Sequence, residues 1–354
     1  MRKTNIELMR LICMILLIMH HYIGHGGVLS LDSLPVNLAL GVLIAPLGKI
    51  CFNAFLVVSC WFLTEQEFKS YRFVKLWLMS LFYSAAIMLI VSCVWGGYSF
   101  AQCMGAFFPI LGYNHGFAAT YLVFYLCIPF LKRIVAECSS KQLLFVIVVL
   151  CLIQPLAKDA SVVFLYQQPY TSELLLFVLI FFLVYLIKKI HPLLIDSNLL
   201  LCGILLATIM IGALLRLLSI YYPANVFIVY SAARVADESC VLNIISGLCV
   251  FFIFHNIEIK YNPFINSLGG CAYAVLLIHD NNYLRPYFWT NICRTNMLIT
   301  SKMMFLHMLL IVFLVYLFGW FIERIRTFFE QQILRFFAVE ERCELIDKSI
   351  FCDE

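Results

Sequence analysis

Residues 5–25 read NIELMRLICMILLIMHHYIGH, an apolar run interrupted by Glu7, Arg10, His20, His21 and His25. A transmembrane helix needs about 20 mostly apolar residues, and this stretch supplies them. A charged side chain at mid-bilayer costs roughly 2.5–3.5 kcal/mol on insertion scales, so a group retained there points to a use. On a helix advancing about 100° per residue, the step from Arg10 to His21 makes three turns plus about 20°. The two side chains therefore share a face, separated by about 16 Å of rise. His25 sits one turn beyond on roughly the same side, and His20 points elsewhere. A cation and a candidate general base thus look into one bundle interior. Imidazole, with an unperturbed pKa of about 6.5, takes a proton from a hydroxyl near neutral pH. The plainer account has Arg10 snorkelling to lipid phosphates and the histidines marking an interface, but it gives no reason for the shared face.

The rest of the chain resembles this segment in composition. Of 354 residues, 64% are hydrophobic and 12% charged, against about 45–50% and about 25% in soluble domains. No single core of this size hides that surplus, which excludes a soluble enzyme, a disordered chain and a nucleic-acid-binding module. The expected fold is all-α: a polytopic membrane helix bundle with ten spans, at about 6–25, 42–63, 76–95, 117–131, 142–157, 172–187, 199–218, 239–256, 267–283 and 303–322. No stretch has the alternation of an outer-membrane barrel. Nor does the start read as a cleaved signal peptide, because Glu7 and Arg10 interrupt it and no small-residue cleavage site follows. With the N-terminus inside, sixteen lysines and arginines, from Arg2 and Lys3 to Arg342 and Lys348, fall in inner segments. Only five, Lys158, Arg234, Arg285, Arg294 and Lys302, fall outside. That asymmetry puts both termini in the cytoplasm. One transmembrane domain, 1–326, is expected, followed by a tail, 327–354. The tail sets Phe328, Phe329, Ile333, Phe336 and Phe337 near one face of an interfacial helix. The fifteen cysteines are scattered through apolar runs without a CxxC pair and read as small buried hydrophobes.

Two further clusters stand out. In KSYRFVKLW, 69–77, Arg72 and Lys75 are neighbours on a helix face at the inner surface, placed to grip an anion from the cytosol. Positive-inside topology explains them almost as well. In AYAVLLIHDNNYLRPYFW, 272–289, an apolar run ends on His279, Asp280, Asn281, Asn282 and Arg285, a constellation suited to a polar acceptor at the outer mouth. The tyrosines and tryptophan around it are accounted for by an interfacial aromatic belt. His115, His191, His255 and His307 are isolated and read as packed or interfacial. Arg216, Arg234, Asp237 and Glu238 read as a solvated loop sooner than as an outer cleft. No metal motif, glycine-rich phosphate loop or G-x-S-x-G elbow is present.

The opening NIELMRLICMILLIMHHYIGHGG resembles the first span of the membrane acyltransferase-3 family, the polysaccharide O-acetyltransferases, whose hallmark is an arginine, ten residues and a histidine: here Arg10 and His21. NAFLVVSCWFL, 53–63, is similar to the family's second span, with Cys60 after Ser59 where a glycine is usual. KSYRFVKLW matches the basic motif before the third span, with Lys75 in place of a second arginine. ATYLVFYLCIPFLKRI, 119–134, resembles the tyrosine-rich span ending in Pro129, Phe130 and Leu131, with Gly116 near the place of the usual tryptophan. LLIHDNNYLR, 276–285, is close to the motif ending span nine in the Gram-positive-like, capsule-modifying branch.

The resemblance implies ten spans in a bacterial plasma membrane, acetyl-CoA or another acyl-CoA as cytosolic donor substrate, and no bound cofactor. It implies a polysaccharide or lipid-linked oligosaccharide acceptor, and an essential histidine in the first span. On this reading Arg72 and Lys75 hold the donor with Arg10, and His21 acts as base or as acyl carrier. His279, Asp280, Asn281 and Arg285 orient the acceptor. Lysine at 75 keeps the charge but not bidentate phosphate recognition. Direct transfer and an acyl-histidine relay both stay open, as does assembly into a homo-oligomer. The rival from another class is a proton-coupled secondary transporter with His21, His279 and Asp280 as a relay. The matching interrupted halves that such proteins often show are absent from the sequence.

Overall fold

A computed structural model describes residues 3–111, 115–164 and 172–351, and these are 80% helical with no strand among them. Arg2 and residues 352–354 of the expected tail lie outside the described residues. In chain order the helices are α1 (Thr4–His25), α2 (Pro35–Ile44), α3 (Leu47–Leu63), α4 (Ser70–Val94), α5 (Phe100–Gly105) and α6 (Gly116–Glu137). Next come α7 (Ser140–Cys151), α8 (Ala157–Phe164), α9 (Glu173–Ile190), α10 (Asn198–Tyr221) and α11 (Val226–Val235). The chain continues through α12 (Val241–His255), α13 (Pro263–Gly269), α14 (Ala272–His279) and the single turn α15 (Arg285–Tyr287). It closes with α16 (Met304–Phe336) and α17 (Val339–Phe351).

Seven of these segments are long and apolar enough to cross a membrane: α1, α2 with α3, α4, α6, α7 with α8 as far as Ala160, α10 and α16. The three other expected spans fall on shorter or interrupted elements. Span 172–187 is α9, which carries Glu173, Lys188 and Lys189 within its 18 residues. Span 239–256 is α12, of 15 residues. Span 267–283 is the pair α13 and α14, broken at Gly270 and Cys271. The expected spans 117–131 and 142–157 belong to longer helical segments. Lys132, Arg133 and Glu137 continue α6 because straight-chain polar residues propagate a helix as well as leucine does. A π-helical turn carrying Pro155 joins α7 to α8.

The first span forms the axis. Nothing in α1 breaks a helix before Gly24, and the chain turns off at Gly26 and at Gly27, whose φ is +73°. Around α1 pack α3, α12, α13, α14 and α16. The largest fully buried side chains include Phe124 of α6, Phe177 and Phe181 of α9 and Phe251 and Phe252 of α12. Of the 14 cysteines described, none forms a disulfide and eight are buried, while Cys93 and Cys202 are exposed.

Polar side chains tie the helix ends together near the start of α1 and α4. Asn5 donates to the Phe254 carbonyl (2.9 Å), Lys132 to the Gln66 carbonyl (3.0 Å) and Lys188 to Glu65 (2.6 Å). The final helix comes back to this end: the Asp347 carboxylate accepts the Ser70 backbone N–H at 3.1 Å, capping α4 where the basic motif starts. Helix α16 runs unbroken through 326–327 and ends at Phe336, leaving Phe328, Phe329, Ile333 and Phe336 exposed.

The end of α13 packs closely on α1. A Cβ on Gly269 would stand 2.3 Å from the Glu7 carbonyl oxygen, closer than any real contact. Gly269→Ala is therefore expected to push α13 off α1 and lower the thermal midpoint of the detergent-solubilised protein by several degrees, since strain of this kind costs about 1–3 kcal/mol. A midpoint equal to wild type would show that the two backbones separate freely.

Candidate active site

Arg10 and His21 line the same cavity, of about 540 Å³, which runs along α1. Its walls come from α1, α3, α4, α6, α13, α14 and the start of α15, with Glu238 from the loop before α12 and Glu173 from the start of α9. Arg10 is not turned to lipid. Its Nη1 donates to Glu7 Oε1 at 3.1 Å, and Glu7 is buried, so the pair anchors the guanidinium beside the cavity. One carboxylate within hydrogen-bond distance offsets part of the cost of a half-buried cation.

At the other end of α1, His21 Nδ1 lies 3.0 Å from His279 Nε2, and His279 Nδ1 lies 2.6 Å from the Val275 carbonyl oxygen. His279 is fully buried and does not line the cavity. Asp280 and Arg285 do, joined at 3.2 Å, and Asp280 Oδ1 is 3.9 Å from His21 Nδ1. Asn281 is buried off the cavity, its Oδ1 accepting the Tyr283 N–H at 3.0 Å, whereas its neighbour Asn282 faces the cavity. The expected outer-mouth set is thus divided between cavity wall and buried support.

Arg72 and Lys75 stand at the start of α4, outside the cavity wall. Arg72 donates to Gln66, and the Lys75 ammonium lies 5.6 Å from the Tyr71 ring centroid. Leu76, one residue on, reaches the cavity. Ser59 and Tyr121, from the two resembling spans of α3 and α6, line it as well.

Several placements differ from the sequence reading. His20 lines the cavity too: its ring lies over Gly48, where a Cβ would come within 2.2 Å of it, and Nδ1 donates to the Ala45 carbonyl at 2.7 Å. The missing side chain at 48 makes room for a ring that a helical wheel sends elsewhere. His25 leaves the cavity and stacks on Trp289, ring centroids 6.2 Å apart. His115 is buried in the cavity wall with Nε2 3.7 Å from Asp280. Burial lowers its proton affinity; Asp280 works the other way, and Arg285 adds to the lowering.

The loop expected to be solvated is an ion network. Arg234 is 3% exposed and paired with Asp159 and Asp237, and Lys158 holds Asp237 at 2.6 Å. Burial works to raise the Asp237 carboxyl, but hydrogen bonds from Lys158 and Ser239 with the Arg234 charge outweigh it and hold it at about 2. Next to the network, Lys49 of α3 pairs with Glu238 at 2.8 Å, and both line the cavity. Lys49 carries no sequence signal, being a single cation in an apolar run whose partner is 189 positions away. Among the described residues no group of three or more histidine, cysteine or carboxylate side chains is arranged to hold a metal.

A polar cavity inside an apolar helical bundle, with cations, imidazoles and carboxylates on its wall, suits transfer chemistry on a substrate drawn into the membrane. A family model described as an acyltransferase domain matches residues 3–324. The chain belongs to the acyltransferase-3 family and is a membrane acyltransferase. None of the curated proteins and none of the solved structures compared with it matches.

Proposed function

We propose that the protein is an O-acetyltransferase of a bacterial plasma membrane, moving an acetyl group from cytosolic acetyl-CoA to a hydroxyl of a surface polysaccharide or its lipid-linked precursor. The observation that carries this reading is the cavity wall shared by Arg10, His21, Asp280 and Arg285. A cavity with Arg10 toward one end and His21 toward the other, beside the paired Asp280 and Arg285, suits a donor with a phosphate-bearing head and a thioester at the tip of a thin arm. Arg72 and Lys75 receive the head beyond the cavity, and Arg10 steadies the arm. The acceptor enters past Asp280, Asn282 and Arg285. His21 takes the proton of the acceptor hydroxyl as its oxygen attacks the thioester carbonyl. The carbon–sulfur bond then breaks, and the thiolate leaves with the proton from His21, giving ester and free CoA. An acyl-histidine intermediate would use the same residues in two steps.

The test uses the purified protein in lipid nanodiscs with labelled acetyl-CoA and total surface polysaccharide from the source cells. Free CoA is expected only with the polysaccharide present, and alkali-labile label in the glycan. Thioester cleavage indifferent to acceptor, or solute movement across sealed vesicles without cleavage, would refute the assignment, the second favouring transport. In the same assay Arg10→Ala is expected to lower kcat/KM for acetyl-CoA by about 10- to 100-fold, the worth of one charge-assisted hydrogen bond. An unchanged value would remove Arg10 from donor binding.

A further inference from the structure

Resting on that reading and deepening it, we propose that His279 is a positioning residue: it decides which nitrogen of His21 carries the proton, and so leaves Nε2 of His21 as the base. The hydrogen bonds allow one direction. A carbonyl oxygen can only accept, so His279 Nδ1, 2.6 Å from Val275 O, is the donor of that bond. His279 is fully buried, and among the described residues no carboxylate oxygen lies within ion-pair distance of it, so a second proton on the ring would have no ion-pair partner. Its Nε2 therefore accepts, and His21 Nδ1 at 3.0 Å donates. Asp280 Oδ1, 3.9 Å from the same Nδ1, favours a proton there too.

The lone pair of His21 is left on Nε2. His21 lines the cavity and His279 does not, so the nitrogen offered to a substrate is the one turned from His279. Packing holds the arrangement in place. The His21 and His279 ring centroids are 5.1 Å apart, and the fully buried Trp289 ring closes on both, at 6.5 and 6.2 Å. The other charged and titratable groups acting on His21 include His20 and His25 from its own helix, with ring centroids at 5.4 and 5.6 Å, Asp280 from the end of α14, and Lys49 of α3 on the same cavity wall. The Val275 carbonyl belongs to α14 itself, one turn before His279, so the proton order is written into a rigid element rather than a loop. Elsewhere, a base held in the wrong tautomer has cost a hydrolase triad about 10⁴-fold in kcat.

Two variants separate this role from packing. His279→Phe keeps a ring but offers no acceptor. His279→Gln loses the ring but can place an amide oxygen near the site of Nε2. Both are read in full-length protein in nanodiscs at pH 8. Ring-15N-histidine solid-state NMR is expected to find His21 protonated on Nδ1 in the wild type and shifted toward Nε2–H in the Phe variant. The acetyl-CoA assay is expected to show a kcat loss of about 10²- to 10⁴-fold for Phe with KM for acetyl-CoA nearly unchanged, and recovery of at least about tenfold for Gln. A wild-type His21 carrying its proton on Nε2 overturns the proposal whatever the activity. So does a Phe variant as active as the Gln variant. A wild type with the expected tautomer that never cleaves acetyl-CoA sinks the acetyltransferase reading and leaves the tautomer assignment standing.

Discussion

Replacing His21 by alanine is expected to lower acetyl transfer by about 10²- to 10⁴-fold, the range that a positioned general base contributes. His21 is the imidazole that joins the cavity wall to the buried His279, so on the proposed mechanism its removal takes away the base without opening the bundle. The protein should therefore reach the membrane in normal amounts, with a thermal midpoint within a few degrees of wild type. KM for acetyl-CoA should change little, because the proposal gives the donor contacts to Arg10, Arg72 and Lys75. Quantifying ester-linked acetyl in surface polysaccharide from cells with matched protein levels gives the answer. Transfer within threefold of wild type would take His21 out of the chemistry.

The largest effect on stability is expected from Arg234→Ala. The side chain is 3% exposed and contacts Asp159 and Asp237, tying the α8 region to the loop before α12. Breaking a buried pair by removing one partner costs about 3–5 kcal/mol, because the remaining charge stays buried and alone. The lower figure applies, since both carboxylates are partly open and Lys158 still holds Asp237. A loss of roughly 3 kcal/mol should show as a marked fall in the detergent-solubilised thermal midpoint. Arg234→Lys should recover part of it, by the charge but not by the forked geometry. A midpoint unaffected by Arg234→Ala would mean that the network is solvated after all. Glu238 and Lys49 line the cavity close by, so the same variant should also weaken acetyl transfer without touching His21.

The membrane class, seven of the ten expected spans and the Arg10–His21 face were readable because each rests on composition or on periodicity within one element. Helical spacing brings residues eleven apart onto one side wherever the helix packs, and the cavity takes up that side. His20 shows where the wheel stops being informative. Its direction follows the α1 backbone, but the cavity reaches it because Gly48 on another helix has no side chain to fill the space. The fate of the 276–285 motif was equally hidden. A histidine and an aspartate adjacent in sequence point different ways at the end of α14, one into the core against His21 and the other into the cavity. Lys49 and Glu238 could not be matched from the sequence, since a lone lysine in an apolar run looks the same whether or not an acid meets it.

The amino-acid sequence alone determined that this chain needs a lipid solvent, that it builds helices long enough to cross it, and that Arg10 and His21 lie on one stripe of the first of them. These follow from residue chemistry and the helical repeat, which act locally. Only the tertiary structure decided which groups meet that stripe: His279 behind His21, Gly269 against the Glu7 backbone, and the Lys49–Glu238 pair on the cavity wall. Contacts across 189 or 258 positions depend on how helix faces choose one another, and nothing in the local pattern of either partner records that choice.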